Sequence, residues 1–291
     1  MLLRIFSIMF PLFAIASAGY LYGRFKRPDM GVANQLNMDI FIPALIFSAL
    51  ANSSFELAAY QDLAIAGVLV VLGSGLLVWP FQRMLKVDFR TFIPPMMFNN
   101  SGNMGLPLAL LAFGEAAVPA AVVLFLVEMI LHFTVGAYIM DHRTRFLRLL
   151  RMPIILATIF GLAVSISDLA LPAPLEITIK MLADISIPLL IFALGVRLTD
   201  VSFKDWQLGL WAAILCPASG LLIVWFSLSF LHLPPQHVSL LIIFGALPPA
   251  VLNYIVAEQY NQEPEKVASM VMLANLATLV IMPVALAFAL A

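Results

Sequence analysis

The sequence contains the stretch Asp39-Ile-Phe-Ile-Pro43-Ala-Leu-Ile-Phe47 and a second copy, Asp184-Ile-Ser-Ile-Pro188-Leu-Leu-Ile-Phe192, that begins 145 residues later. Asp, Pro, Phe and most of the apolar positions are identical in the two copies. Ser74-Gly75 recurs at the same offset as Ser219-Gly220. Repeats in the same order along an apolar chain are typical of membrane proteins built from two related halves, with a site where the halves meet.

The composition assigns the chain to the membrane. Hydrophobic residues make up 63% of the 291 residues and charged residues only 11%, and the mean hydropathy is +1.04. A soluble globular domain carries about 25% charged residues. The sequence therefore predicts an all-α integral membrane protein with membrane lipid around it, and it contains no basic patch typical of nucleic-acid binding.

The apolar segments predict ten transmembrane helices, because about 20 apolar residues span the hydrocarbon core of a bilayer. The predicted spans cover residues 4–22, 33–52, 62–81, 92–112, 117–140, 153–169, 175–196, 207–231, 238–258 and 266–290. Five spans fall in each copy, so we expect a first repeat over residues 1–145 and a second repeat over residues 146–291.

The basic residues predict the orientation of these spans. All of the 15 Lys and Arg residues except Arg4 and Lys180 follow the odd-numbered spans. Cytoplasmic loops carry the excess of Lys and Arg, so these loops are predicted to be cytoplasmic and both termini to lie outside the cytoplasm of a multi-pass inner membrane protein. An odd number of spans turns the second repeat upside down, which predicts inverted repeats.

Two spans are predicted to be interrupted in mid-membrane. The fourth span contains Asn99-Asn100-Ser101-Gly102-Asn103-Met104-Gly105-Leu106-Pro107, and the ninth contains Gly245-Ala-Leu-Pro248-Pro249-Ala-Val-Leu-Asn253. Proline removes a helix donor, and glycine weakens a helix. Unwound backbone inside a membrane needs a protein or water-lined cavity around it. The exposed helix N-termini would suit an anion such as a carboxylate.

Four motifs resemble the auxin efflux carrier family. They are Ile-Pro-Ala-Leu-Ile-Phe at residues 42–47, Asn-Met-Gly-Leu-Pro at 103–107, Ala-Asp-Ile-Ser-Ile-Pro-Leu at 183–189 and Leu-Pro-Pro-Ala at 247–250. Their order along nearly the whole chain makes the resemblance specific. The chain lacks the long central hydrophilic loop of the plant auxin exporters, which favours a prokaryotic-type carboxylate carrier over a hormone exporter.

The resemblance implies a fold shared with bile acid sodium symporters, with helices four and nine broken and crossing. It implies a scaffold from residues 1–55 and 150–200, a transport domain from residues 60–141 and 205–291, and a homodimer formed through the scaffold helices. The implied function is secondary transport of a small organic anion, such as malonate, malate or an auxin-like acid, by elevator-type alternating access. No cofactor is expected.

Polar residues of the two interruptions are the candidate substrate ligands. Four polar side chains within five positions exceed what helix packing requires, although buried Asn and Ser side chains also join helices in membranes. Asn253 could instead cap the broken helix. The candidates are Asn99, Asn100, Ser101, Asn103, Pro248, Pro249 and Asn253.

Glu128 is the candidate for ion coupling. It lies in the middle of the fifth span, and His132 shares its helical face four residues later. Ionisable groups inside a membrane are costly and commonly serve as proton relays or ion ligands. Asn275 occupies the corresponding place in the second repeat. The coupling ion is H⁺ or Na⁺, with Na⁺ held near Asn100, Ser101 and Glu128, and a static structural bridge is the alternative.

Asp39 and Asp184 are predicted to be scaffold carboxylates near helix starts, where the helix dipole favours negative charge. The alternative functions are a sodium-coupled organic-anion symporter of the bile acid type and, less favoured, a channel or a membrane-embedded enzyme. The sequence lacks a Ser-His-Asp order, a His-x-x-x-His helix and a P-loop, so an enzyme is not expected.

Overall fold

The computed structural model describes residues 1–51, 57–142, 150–167, 169–200 and 204–291. The described residues are almost entirely helical. The helices are α1 (Leu2–Lys26), α2 (Gly31–Leu36), α3 (Ile42–Leu50), α4 (Gln61–Leu85), α5 (Phe89–Met97), α6 (Leu106–Phe113), α7 (Val118–Leu131), α8 (Ala137–Met140), α9 (Pro153–Ile166), α10 (Ala173–Arg197), α11 (Trp206–Ser227), α12 (Pro235–Ala246), α13 (Leu252–Gln259) and α14 (Pro264–Ala289). The helical content of the described residues confirms the prediction of an all-α protein. The predicted boundary at residues 145 and 146 lies outside the described residues.

Several helices continue through π-helical turns. The turn Asn37–Phe41 joins α2 to α3, Ser101–Gly105 leads into α6, and His132–Gly136 joins α7 to α8. Among the described residues, seven helical segments are long and apolar enough to cross a membrane, and three shorter apolar helices accompany them. The shorter ones are Ser101–Phe113, Pro153–Ile166 and Pro235–Ala246. Two of these three belong to the spans predicted to be interrupted.

The outer surface of the bundle is apolar. Leu76, Trp225, Val280 and Phe288 lie on long helices and are each about 70% exposed: 67%, 76%, 71% and 71%. Large apolar side chains at this exposure are costly in water but not in lipid, where the hydrocarbon tails cover them. The exposed side chains therefore support a multi-pass membrane protein.

The helices pack in two neighbourhoods. In one, α1 lies along α10, and α3 packs against α9 and α10. In the other, α4 packs against α5, α7 and α11, while α11 packs against α12 and α14. Glycines allow close contact between α1 and α10: a Cβ added to Gly19 would lie 2.2 Å from the Phe192 carbonyl oxygen, and one added to Gly195 would lie 1.9 Å from that of Ala16. Small residues give membrane helices this backbone contact.

Polar contacts join the loops at the two ends of the bundle. At one end, Lys180 pairs with Glu115, and Tyr60 stacks on His237 at 5.2 Å. At the opposite end, Thr91 donates to Glu263 at 2.6 Å. The hydrogen bond from Lys266, followed by the one from Thr91, holds the pKa of the Glu263 carboxyl below its ordinary value.

Candidate functional site

The first interruption separates α5 from α6. Pro94 and Pro95 lie in the last turns of α5 and weaken its continuation, because proline donates no backbone hydrogen bond. Phe98 then adopts an extended conformation with φ −96° and ψ 99°. Helical structure resumes after Asn100, and no side chain caps the new N-terminus. The start of this half-helix is therefore open inside the bundle.

The second interruption separates α12 from α13. Leu247 is extended, with φ −63° and ψ 146°, as expected for a residue that precedes a proline. Pro248 and Pro249 follow, both buried, and α13 begins at Leu252. Both interruptions thus occur where the sequence predicted them.

The two interruptions pair as a short antiparallel bridge between Asn99 and Pro249. The Asn100 N–H donates to the Pro248 carbonyl oxygen at 2.7 Å, and the Ala250 N–H donates to the Phe98 carbonyl oxygen at 2.8 Å. We call these paired residues, 98–101 and 247–253, the crossing. Backbone that cannot bond within its own helix inside a membrane must find another partner. Each interruption supplies that partner to the other.

Asparagine side chains add further hydrogen bonds between the two interruptions. The amide Nδ2 of Asn99 donates to the carbonyl oxygen of Phe244, near the end of α12, at 2.8 Å. The Nδ2 of Asn253 donates to the carbonyl oxygens of Phe98 and Ala250, both at 2.9 Å. These amides satisfy carbonyls that the helix breaks expose, so their donors already serve the fold.

A second polar cluster adjoins the crossing. Ser101 Oγ donates to Glu128 Oε2 at 3.2 Å, and His132 Nδ1 lies 3.0 Å from Glu128 Oε1. The His132 ring stacks on Phe98 at 4.2 Å with an interplanar angle of 14°. All of these side chains are buried, with Glu128 only 5% exposed. A carboxylate and an imidazole at this distance can share or pass a proton.

Asn275 connects α14 to the same place. Its Nδ2 donates to the carbonyl oxygens of Pro249 at 3.0 Å and Val271 at 2.8 Å. Its Oδ1 accepts from Asn100 Nδ2 at 2.9 Å. Asn275 therefore ties both interruptions to α14.

Some polar groups at the crossing stay available for a ligand. The side-chain oxygens of Asn99 and Asn253 are buried and have no hydrogen-bond partner among the described residues. Asn103 is partly buried, and its amide likewise bonds to no described residue. The first N–H groups of a helix have no partner within the helix, and they carry its positive partial charge. At this half-helix they belong to Ser101, Gly102 and Asn103.

A cavity of about 1110 Å³ lies between α10 and α6. We call it the α6–α10 cavity. Its walls also include parts of α1, α3, α7 and α9. Its polar lining residues are Ser48, Tyr60, Glu115, Glu176, Lys180 and Asp184. The crossing residues do not line it, but α10 borders both the cavity and the turn Ser101–Gly105.

A comparison with protein families identifies a family for this chain. The family model described as "Membrane transport protein" matches residues 4–146 and 142–286. The chain belongs to this family of membrane transport proteins. The match confirms the resemblance to the auxin efflux carriers that the four sequence motifs indicated.

Individual relatives of this membrane transport protein are distant. It is 27% identical to the "Putative malonate transporter" of Rhizobium meliloti (strain 1021) over 94% of this chain and 92% of that protein. It is 19% identical to the "Uncharacterized transporter YfdV" of Escherichia coli (strain K12), over 87% of each chain. The similarity thus extends along nearly the whole length of both relatives.

Within the membrane transport protein, the predicted residues fall into two groups. The crossing brings together Asn99, Asn100, Ser101, Pro248, Pro249 and Asn253, with Glu128, His132 and Asn275 beside it. Asn103 lies on the same π-helical turn as Ser101. Asp39 and Asp184 lie elsewhere.

The expected position of Asp39 and Asp184 near helix starts is wrong. Asp39 lies in the π-helical turn between α2 and α3, and Asp184 lies in the middle of α10. Both side chains are exposed, and Asp184 lines the α6–α10 cavity 3.6 Å from Lys180. Their recurrence reflects the repeat and not a helix-dipole contact.

The sequence did not predict the roles of Phe98 at the crossing and of Lys180 in the α6–α10 cavity. Phe98 provides both a ring for His132 and a carbonyl oxygen for Asn253. Lys180 pairs with Glu115, 65 residues away. Lys180 did carry a signal, because it is one of only two basic residues that do not follow an odd-numbered span.

Proposed function

We propose that this membrane transport protein is a secondary active transporter of a small carboxylate or dicarboxylate, and that the crossing binds it. The observation that carries the proposal is the pairing of two interrupted helices inside an apolar bundle. Among the described residues, the pairing leaves the N–H groups at the start of the Ser101–Phe113 helix and the Asn103 amide without partners. Free donors at the positive end of a helix suit an anionic oxygen.

We further propose ten spans arranged as two inverted five-helix repeats. Interrupted helices in corresponding positions of two halves are typical of such transporters. The reciprocal contacts support this arrangement: Asn99 reaches the carbonyl of Phe244, its counterpart 145 residues on, and Asn253 reaches Phe98. The two termini would lie on the outer side, as the distribution of basic residues indicates.

The mechanism we propose is an elevator movement. The scaffold would consist of residues 1–55 and 150–200, which include α1, α3, α9 and α10, and these helices pack mainly on one another. The transport domain would consist of residues 60–141 and 205–291. The α6–α10 cavity lies between the two groups, so relative sliding would change its shape and its connection to the crossing.

The chemistry of the crossing and the name of one relative support this substrate class. Amides and helix ends supply partial charges only, which favours micromolar to millimolar affinity, corresponding to roughly −8 to −4 kcal/mol. One relative is named for malonate, a small dicarboxylate. Glu128 lies next to Ser101, so a bound anion would be repelled unless a proton neutralises the Glu128–His132 pair. We therefore propose proton coupling.

Sodium coupling is a second candidate, and a separate observation favours it. The side-chain oxygens of Asn99 and Asn253 are buried without partners in the described part of the chain. Hard cations prefer oxygen ligands. With the Glu128 carboxylate these oxygens could form a sodium site at the crossing.

Ligand binding to the purified protein tests the proposal, because a ligand that binds only the folded state raises the melting temperature by mass action. We expect malonate to stabilise the wild-type protein. Without ligand, Asn103→Ala should melt as the wild type does, because this amide bonds to no residue in the described part of the chain. It should lose the malonate shift. Asn34→Ala, far from the crossing in α2, is the control and should keep it.

Three outcomes separate the candidates. No stabilisation by any mono- or dicarboxylate would overturn carboxylate transport. A full malonate shift in Asn103→Ala would place the binding site away from this residue. A malonate shift that requires added NaCl, and not KCl, would favour sodium coupling over proton coupling.

A further inference from the structure

An ion-paired network crosses the α6–α10 cavity. The ammonium group of Lys180 lies 3.1 Å from Glu115 Oε1 and 3.6 Å from Asp184 Oδ1. Lys180 and Asp184 belong to α10, whereas Glu115 begins the short helical turn Glu115–Ala117 between α6 and α7. The Lys180–Glu115 pair therefore joins the two walls of the cavity.

The charges that line this cavity are unbalanced. Among its described lining residues, Lys180 is the sole basic side chain, whereas Glu115, Glu176 and Asp184 are acidic. An entering anion would be repelled by three carboxylates and attracted by one ammonium group, and two of those carboxylates already hold that group. Access to Lys180 therefore requires competition with Glu115 or Asp184.

The pair is exposed enough for such competition. The Lys180 side chain is 53% exposed and that of Glu115 is 79% exposed. Exposed ion pairs contribute about 0 to 1 kcal/mol. A substrate carboxylate presents to Lys180 the same oxygens that Glu115 presents, so exchange between them costs little.

We propose that Lys180 is a docking residue for the incoming substrate, at which a substrate carboxylate displaces the Glu115 carboxylate. This inference rests on the proposed function, organic anion transport, and adds a second anion site on the route to the crossing. Displacement frees the turn after α6 from α10. The helix Ser101–Phe113 runs from the crossing to that turn, about 20 Å at 1.5 Å per residue, so docking would release the element that carries the crossing's free donors.

Transport kinetics in proteoliposomes test the docking role. Lys180→Gln should raise the KM for malonate uptake about two- to fivefold, the range expected for one exposed ionic contact, while Lys180→Arg should stay near the wild-type value. Glu115→Gln should lower KM, because Lys180 is then free of this competitor. A merely structural pair predicts instead that both neutral variants change KM in the same direction.

Glu176→Gln is the matched control for charge. Glu176 lines the same cavity but is not ion-paired to Lys180, so its loss removes equal negative charge without freeing the ammonium group. We expect a smaller decrease in KM than for Glu115→Gln. In a Lys180→Gln background, Glu115→Gln should lower KM by no more than Glu176→Gln does. The difference between the two backgrounds then measures the contribution of Lys180.

The outcomes distinguish this inference from the proposed function. A wild-type protein that carries no carboxylate would overturn both. Normal malonate transport with a wild-type KM in Lys180→Gln, or equal changes in Lys180→Gln and Glu115→Gln, would overturn the docking role alone. The melting temperatures of all variants identify any folding defect. If Lys180→Gln is misfolded, Lys180→Arg provides the test. A KM above the wild-type value in a stable Lys180→Arg protein would also contradict docking.

Discussion

The interruption between α5 and α6 is rich in amides, whereas the interruption between α12 and α13 is rich in prolines. Asn99 and Asn100 supply side-chain donors to the first. Pro248 and Pro249 have no backbone N–H, but their carbonyl oxygens accept hydrogen bonds from the Asn100 N–H and from Asn275 Nδ2. The first interruption therefore contributes more amide side-chain donors, whereas the second contributes carbonyl acceptors on a rigid backbone. The exchange also runs the other way, because the Phe98 carbonyl oxygen accepts from the Ala250 N–H and from Asn253 Nδ2.

This difference shows how two copies of one repeat can satisfy each other's backbone. If both interruptions were amide-rich, their donors would compete for the few carbonyls that the breaks expose. If both were proline-rich, those carbonyls would be left unsatisfied inside the membrane, which is costly. The asymmetry lets each interruption satisfy the other, while the donors at the start of the Ser101–Phe113 helix stay unpaired among the described residues.

The largest expected effect on transport comes from Glu128. The first repeat has this carboxylate near the position where the second repeat has the amide of Asn275. If Glu128 carries the transported proton, Glu128→Gln should abolish accumulation driven by a pH gradient. Exchange of substrate at equal concentrations should continue, since the amide keeps the shape of the side chain but cannot titrate. Accumulation and exchange of labelled malonate in proteoliposomes measure both.

Two other results for Glu128→Gln would change the assignment. Weaker sodium-dependent binding at every pH would indicate that Glu128 is a sodium ligand, because an anionic oxygen has been removed. Accumulation at the wild-type level with only a lower melting temperature would make the Glu128–His132 pair a structural bridge.

The packing around Gly75, beside the first interruption, differs from the packing around Gly220, beside the second. A Cβ on Gly220 would lie 2.0 Å from the carbonyl oxygen of Gly245 in α12, whereas one on Gly75 would meet the flexible side chain of Met97 at 2.4 Å. Backbone cannot move aside as a methionine can. Gly220→Ala should therefore cost about 3 kcal/mol and Gly75→Ala less than about 1.5 kcal/mol, within the range for overpacked cores.

Thermal melting in detergent measures the loss of stability in both variants. Gly114→Ala is unsuitable as a control, because a φ of 78° at this position requires glycine. Ala218→Ser, a small change at an exposed position of the same helix as Gly220, is a better one. Equal losses of stability in Gly75→Ala and Gly220→Ala would show that both interruptions pack with the same tolerance.

Asn99 and Asn253 give the smallest expected contrast. Asn253 donates one side-chain hydrogen bond across the crossing, to Phe98, and one within its own interruption, to Ala250, whereas Asn99 donates one, to Phe244. Each buried bond contributes about 1 kcal/mol. Asn253→Ala should therefore destabilise the protein by about 2 kcal/mol, and Asn99→Ala by about 1 kcal/mol. Denaturation of the two variants side by side compares them, and a larger loss in Asn99→Ala would contradict the assigned hydrogen bonds.

Local and periodic patterns made much of this architecture predictable. Apolar length determines which segments can cross a bilayer, and proline and glycine act on the helix that contains them, so the interruptions near Asn100 and Pro248 followed from the sequence. The contact between Glu128 and His132 was also predictable, because residues four apart share one face of a helix. Family membership followed from motifs that are continuous in the chain.

The sequence alone determined a membrane transport protein with two repeats and two broken helices. Only the tertiary structure decided that Asn99 and Asn253 donate to backbone carbonyls and that Lys180 meets Glu115 across a cavity. It also decided that the Asn103 amide has no partner among the residues that the structure describes. The same limit explains the error at Asp184, which the pattern placed near a helix start but which lies on a cavity wall. Hydrogen-bond partners between helices depend on how the helices cross, and that geometry comes from packing between residues far apart in the chain.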